Sequence, residues 1–265
     1  ITIKNTAMKR FFVMILASAL VLASFDASAQ RDQRGNRSRF DREFNHAASG
    51  LGVTFGYAHS AYRVADWATD KVREADGLDG FQLGLTKDVE MIESALFIQT
   101  GLVYTYQNDS KNNDFGGIRL IGDWNEHFLS VPLKVKYAVP LTDRIGIFVT
   151  GGPSLVFGLA SKMKCRARLG DGQNAATSYN FFTGKSKVTD NMTGEMSEWI
   201  SAQYPETKYR RFDAQVGGSV GIRFLEIMEA QIGYDWGLVN KYKGETLDDL
   251  RMRRQQLYIS VGLRF

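Results

Sequence analysis

The chain has 265 residues, 44% of them hydrophobic and 23% charged, with 26 Gly, 4 Pro and a single Cys. That composition excludes wholesale disorder and collagen-like repeats, and one cysteine excludes an intrachain disulfide framework. A net charge of +4, from 33 basic and 29 acidic side chains, is too dilute for a nucleic-acid-binding face, so no nucleic-acid partner is expected.

The first element is an apolar run from Phe11 to Phe25, broken only by Ser18 and Ser24. A spanning helix needs about 20 apolar residues, so the run is short for an anchor. Met8-Lys9-Arg10 precede it and Ala27-Ser28-Ala29-Gln30 follow. A basic start, a short apolar core and an A-x-A end are the parts of a cleaved secretory signal; an uncleaved anchor helix is the rival reading. The expected organisation is upstream residues plus a cleaved signal over 1–29, then a flexible periplasmic lead-in over 30–49. That lead-in is rich in arginine, with Arg31, Arg34, Arg37, Arg39 and Arg42. Residues 50–265 then form the folded domain. An exported chain without a second long apolar helix is either soluble in its compartment or a β-barrel.

From residue 50 the pattern changes to period two, which argues for strands. Eight segments show it: 50–64, 78–87, 94–107, 128–139, 145–160, 212–224, 228–240 and 254–265. In the first, Leu51, Val53, Phe55 and Tyr57 alternate with Gly52, Thr54, Gly56 and Ala58. In the second, Phe81, Leu83 and Leu85 oppose Gln82, Gly84 and Thr86; in the third, Leu102, Tyr104 and Tyr106 oppose Gln99, Gly101 and Thr105. The fourth sets Leu129, Val131, Leu133, Val135 and Tyr137 against Ser130, Lys134 and Lys136. Two lysines on one strand face are excluded from lipid or a dry core, but fit a hydrated lumen with acidic partners. Pro132 has no backbone donor, so a bulge or a weakened ladder is expected there.

The remaining segments repeat the scheme. In the fifth, Ile147, Val149 and Leu155 oppose Thr150, Gly152 and Ser154. Val216, Val220 and Ile222 oppose Asp213, Ser219 and Arg223; Ile232, Tyr234 and Trp236 oppose Glu229, Gly233 and Asp235. The last sets Leu257, Ile259, Val261, Leu263 and Phe265 against Gln256, Ser260, Gly262 and Arg264. Small and glycine residues on one face suit the interior of a narrow barrel. Tyr57, Tyr104, Tyr137, Phe212, Tyr234, Trp236 and Phe265 lie on the other, several near segment ends, as an interfacial girdle requires. The polar face collects Lys134, Lys136, Asp213, Arg223, Glu229, Asp235 and Arg264. A selectivity path and a salt-bridged structural plug are both open to such a set, and the near balance of charge favours the plug.

The connections sort by length. Those after odd segments (65–77, 108–127, 161–211, 241–253) are long, and those after even segments (88–93, 140–144, 225–227) are short. Long outer loops alternating with short periplasmic turns are the outer-membrane arrangement. The fold expected is an all-β, eight-stranded antiparallel transmembrane up-and-down β-barrel.

Several motifs carry a family resemblance. Val131-Pro132-Leu133-Lys134-Val135-Lys136-Tyr137, Gly151-Gly152-Pro153-Ser154-Leu155, Phe212-Asp213 and Gly233-Tyr234-Asp235-Trp236-Gly237-Leu238 occur in order, over about residues 50–265. Together they resemble the PorT-like outer-membrane barrel family. The ending Leu257-Tyr258-Ile259-Ser260-Val261-Gly262-Leu263-Arg264-Phe265 is similar to the terminal strand that the barrel assembly machinery recognises, with Phe265 as the assembly signal. The resemblance implies a membrane-embedded eight-stranded barrel and says little about activity. The namesake is associated with type IX protein secretion, a role not carried over to this chain.

Candidate chemistry is sparse. His46, His59 and His127 show no spacing that defines a triad, so no catalytic residue is assigned. Asp109, Asn112, Asn113 and Asp114 lack the ordered spacing of a calcium loop and read as a solvated loop. Cys165, flanked by Lys164 and Arg166, has no partner in the chain. Met196, Trp199, Ile200 and Tyr204 are spaced to share one side of a short helix, packing on the rim or engaging a partner. No metal or cofactor is expected. The leading reading is a non-enzymatic barrel whose outer loops mediate contact, assembly or envelope integrity. Its expected partners are outer-membrane lipid, the barrel assembly machinery and secretion or envelope proteins. The alternatives are a secretion accessory or narrow transport channel, and a soluble lipocalin-like ligand binder with its apolar face turned inward.

Overall fold

The computed structural model describes residues 50–66, 71–92, 96–115, 118–142, 144–168, 174–188, 208–224, 227–243 and 250–265. The expected signal over 1–29 and lead-in over 30–49, and the Met196–Tyr204 stretch, lie outside these residues. Ten strands occur among the described residues: β1 (Leu51–Asp66), β2 (Lys71–Ile92), β3 (Leu96–Phe115), β4 (Ile118–Pro140), β5 (Ile145–Arg168), β6 (Asn174–Asn180), β7 (Lys185–Val188), β8 (Phe212–Phe224), β9 (Met228–Gly237) and β10 (Leu250–Arg264). Eight of them run β4-β3-β2-β1-β10-β9-β8-β5, and a β4–β5 pairing closes the ring. Every pairing is antiparallel. Among the described residues no helix is long and apolar enough to cross a membrane, so crossing falls to the strands. Closure leaves no open sheet edge within the ring, the condition for strands inside lipid.

The two faces follow the period-two pattern. Leu51, Val53, Phe55 and Tyr57 are exposed while Gly52, Gly56 and Ala58 are buried. On β4, Leu133, Val135 and Tyr137 point outward, while Lys134 and Lys136 are 4% and 0% exposed. An apolar surface facing out and a charged one buried is the inverse of a soluble barrel, and this excludes the lipocalin-like orientation.

The strands reach well past the expected segments. β1 and β2 pair as far as Asp66 and Lys71, and β3 and β4 as far as Phe115 and Ile118, so most of the expected outer loops 65–77 and 108–127 are strand. Above the lipid the outward face no longer has to be apolar, so the contrast between the two faces fades although the ladder continues. Asp109 and Asn112 accordingly belong to β3 and not to a loop. The long 161–211 connection is partly sheet as well: β5 pairs with β8 up to Phe157↔Phe212, then with β6 from Lys162↔Asn180. β6 and its partner β7 therefore extend the wall upward from where β8 ends.

Pro132 weakens the ladder without a bulge. β3–β4 pairing skips from Thr100↔Leu133 to Val103↔Ser130, and β4–β5 pairing skips from Pro132↔Ser154 to Val135↔Gly151, both with the register kept. The irregularity instead falls at Leu159, where the partners of His127 and Phe128 are Ala160 and Gly158. Glycines flank the weakened stretch. Gly101 and Gly152 have φ of 154° and 153°, and a Cβ at Gly152 would lie 2.6 Å from the Leu133 carbonyl oxygen. The neighbouring Gly151 has nothing within 4 Å of a Cβ.

Gly152→Ala is expected to lower stability by about 1–3 kcal/mol, while Gly151→Ala leaves it unchanged or slightly raised. Urea titration of the heat-modifiable folded band in micelles checks both; equal midpoints for the two variants would refute the close-approach argument.

Candidate functional site

The lumen is filled at two levels. The lower level is built on Glu229 of β9, which accepts from Lys136 Nζ at 2.7 Å, Arg223 Nε at 3.0 Å and Arg264 Nη2 at 2.9 Å. Asp88 of β2 accepts from Lys136 Nζ at 2.8 Å, Arg264 Nη1 at 2.9 Å and Gln99 Nε2 at 3.1 Å. Beneath them Phe97, Ala138 and Phe148 form a small apolar cluster, with Lys136 Nζ 4.2 Å from the Phe148 ring centroid. Burying five ionised groups is tolerable only because each is bonded to opposite charge.

Midway up, Lys134 Nζ donates to Asp235 Oδ1 at 2.6 Å and to the Tyr258 hydroxyl at 3.1 Å. This pair borders a cavity of about 60 Å³ that is also lined by Gln82, Gln99, Gln215, Gln231 and Gln256. Neutral amides dominate here, so the chamber has hydrogen-bonding capacity but little net field.

The upper level centres on Glu126 of β4. Lys241 Nζ and Ser161 Oγ each donate to Glu126 Oε1 at 2.8 Å, and the Tyr62 hydroxyl donates to Oε2. Lys241 also donates to the Tyr62 hydroxyl. Arg254 donates to Ser60 Oγ at 3.1 Å and Gln107 Oε1 at 2.9 Å, with its guanidinium 3.9 Å from the Phe128 ring centroid. Above lies an apolar cap of Tyr62, Leu78, Tyr179, Phe181, Tyr209, Tyr242 and Met252. Phe181 and Tyr209 stack at 4.5 Å, and Tyr209 bridges to Tyr242. The segments around Tyr209 and 238–243, together with the β6–β7 turn, thus close over the mouth.

Lys241 lies beyond the end of β9, above the outer aromatic girdle, where its backbone bonds Met252. Burial pushes its ammonium down to about 8, against the pull of Glu126. Burial raises the hydroxyl of Tyr209 in the same layer.

Of the seven lumen residues read from the alternation, Lys136, Arg223, Glu229 and Arg264 meet in the lower level, and Lys134 meets Asp235 midway. Asp213 does not join them. It sits towards the outer end, accepting from the Val239 amide at 3.3 Å and Gln215 Nε2 at 3.3 Å. Asp88, Glu126, Lys241, Arg254 and Tyr62 are not among the residues that the alternation picks out. A signal for Asp88 is present: Gln82, Gly84 and Thr86 continue in step to Asp88, where Lys87 interrupts the outward hydrophobics before Val89 and Met91. Glu126 likewise continues the inward series back from Phe128. Lys241 carries no such signal, because its strand has already ended.

The remaining candidates lie on the outside. His59 Nδ1 is 2.7 Å from Asp79 Oδ1, and His127 Nδ1 is 2.6 Å from the Tyr104 hydroxyl. Neither described bond brings in a serine, threonine or cysteine. Cys165 is a free, half-buried thiol. Among the described residues no group of three or more His, Cys, Asp or Glu is placed to hold a metal.

Residues 17–265 match the family described as the outer membrane protein beta-barrel domain. The chain belongs to that family. It is an outer-membrane protein, and the charged interior described above is the lumen of its barrel. Solved structures resemble it at low identity. The attachment invasion locus protein Ail of Yersinia pestis is 12% identical with a TM-score of 0.39, over 82% of this chain and 99% of that one. Neisserial surface protein A is 12% identical with a TM-score of 0.38, over 82% and 98%. The outer membrane enzyme PagL is 14% identical with a TM-score of 0.34, over 77% and 97%. No curated protein matches the chain.

Glu229→Gln leaves three buried cations facing Asp88 alone and is expected to cost about 3–5 kcal/mol. Asp213→Asn, which removes weaker bonds, costs about 1 kcal/mol. Urea midpoints in micelles compare the two, and similar losses would contradict the hub role of Glu229.

A pH test addresses the upper level. Between about pH 8 and the ordinary lysine value of 10.5, the folded barrel holds fewer protons at Lys241 than the unfolded chain does. Stability contributed by this residue therefore rises with pH in that window. Above the ordinary tyrosine value of 10.0 the raised hydroxyl of Tyr209 acts in the opposite direction. Comparing wild type with Lys241→Met between pH 8 and 10 reads the difference; parallel curves would refute it.

Proposed function

We propose that this protein is a non-enzymatic outer-membrane barrel that presents its outer end for contact, assembly or envelope integrity. One observation carries the reading: side chains fill the lumen at two levels, with Asp88, Lys136 and Glu126 fully buried. A channel needs a continuous hydrated path, and an eight-stranded interior is only wide enough for the side chains that occupy it. The outer end, by contrast, is built up. The β6–β7 extension and the aromatic cap project a structured surface above the lipid, and the exposed hydrophobic belt is the surface offered to outer-membrane lipid.

The same reading assigns Phe265 to biogenesis. It is 72% exposed at the end of the last strand, its amide bonded to the Leu51 carbonyl at 2.8 Å. An exposed terminal aromatic after the last strand suits recognition by the barrel assembly machinery, with the ring exposed although the backbone is paired.

Purified protein in planar bilayers is expected to give no steady single-channel conductance, and a deletion strain is expected to secrete a normal set of proteins. A steady conductance would replace this reading with a transport channel, and a secretion defect with a secretion accessory.

A further inference from the structure

The outer wall above β8 carries an array of exposed lysines. The bulge at Leu159 resets the parity of β5, so that Ser161 and Met163 turn inward while Lys162, Lys164 and Arg166 turn outward. Register then aligns them across β6 and β7. Lys162 pairs with Asn180, which pairs with Lys185; Lys164 pairs with Ser178, which pairs with Lys187. The result is two rows, each a lysine at either end with a short polar residue between. All four lysines are exposed. Successive same-face side chains on a strand lie roughly 7 Å apart, and residues two strands apart roughly 10 Å. The four ammonium groups thus occupy a patch about the size of a phosphorylated sugar headgroup.

Two features point to an anion. Among the described residues the one carboxylate in the patch is Asp123, opposite Lys164, and it is already engaged: it accepts from Ser110 Oγ at 2.7 Å and pairs with Arg166. The Ser110 hydroxyl first, then the Arg166 guanidinium and the nearby charge of Lys164, hold its carboxyl below the usual carboxylate range. None of the four lysines has an ion-pair partner among the described residues. The second feature is height. The Asn125–Lys162 row is the next outward row above the His127–Ala160 pair, and His127 packs against Tyr104 and Tyr106 in the outer aromatic cluster. Below it, Phe157 and Phe212 pair at the end of β8. The lysines therefore begin where the apolar belt stops, at the depth of lipid headgroups.

We propose that the outward face of β5–β6–β7 binds the phosphate groups of phosphorylated lipid headgroups in the outer leaflet, with Lys162, Lys164, Lys185 and Lys187 as the binding residues. Each phosphate lies between neighbouring ammonium groups, and Ser178 and Asn180 stand between the two lysine columns. The wall in this place is sheet, so the array is held on a rigid backbone. The inference rests on the position of this face above the lipid belt and not on whether the lumen conducts.

The test uses full-length protein in phosphatidylcholine nanodiscs carrying either bisphosphorylated lipid A or its dephosphorylated form, with retained lipid counted by native mass spectrometry. Wild type is expected to retain the bisphosphorylated lipid about tenfold better. Changing all four residues (Lys162→Gln, Lys164→Gln, Lys185→Gln, Lys187→Gln) abolishes the preference while the heat-modifiable mobility of a folded barrel persists. The corresponding four Lys→Arg changes preserve it. Arg63→Gln with Arg253→Gln, a cross-strand pair on the β1–β10 wall, also leaves the preference intact. Equal retention by wild type and the Gln variant would overturn the proposal, as would equal loss in the Arg63/Arg253 variant, which would reduce the effect to net charge. Displacement of the lipid by inorganic phosphate alone would identify a free-anion site instead. Loss of dextran sulfate binding with unchanged lipid retention would identify a soluble polyanion as the ligand, and would equally overturn it.

Discussion

The narrow lumen of an eight-stranded ring governs the rest of this structure. Its interior has room for side chains and little else, so each inward charge must find its partner among other inward side chains. Some pairs join neighbouring strands, as Arg223 of β8 and Arg264 of β10 do with Glu229 of β9, but others reach across the ring. Lys136 of β4 reaches Asp88 of β2 and Glu229 of β9, and Lys134 of β4 reaches Asp235 of β9. Arg254 of β10 reaches Gln107 of β3. These links cross the lumen and therefore specify how the ring closes. A slip of one residue in any strand would turn its charge towards lipid and leave its partner buried and unpaired.

The two ends solve the same problem differently. At the lower end the turns are short, and the ion network stands directly on Phe97 and Phe148. At the outer end the strands continue beyond the lipid, and Glu126, Lys241 and Tyr62 are covered by stacked aromatics. The cap needs residues from outside the ring: Tyr179 from β6, Phe181 from the β6–β7 turn, and Tyr209 and Tyr242 from the segments flanking β8 and β9. The long 161–211 connection is thereby partly converted into wall and lid. The same conversion sets the exterior chemistry, because the bulge at Leu159 decides which residues of outer β5 face out.

Legibility in the sequence follows the solvent. Where one strand face meets lipid and the other the lumen, the contrast between Leu133 and Lys134, or Leu263 and Arg264, is as large as amino-acid chemistry allows, and alternation alone assigns the faces. Where both faces are polar or both are covered, the contrast disappears. Glu126 and Asp88 are lost in this way, each within two residues of an inward position on its own strand. Asp213 is legible as to face but not as to height, since alternation gives a side and register gives a level.

The sequence by itself determined the strand count of the ring, the direction of each membrane-crossing face and the need for buried counter-charges. Those follow from local period-two contrast, which is a property of neighbouring residues. Only the tertiary structure decided which charges meet, where the barrel is closed, and that β6 and β7 take over the wall above β8. Those depend on stagger between strands distant in the chain, and stagger is fixed by closure of the whole ring.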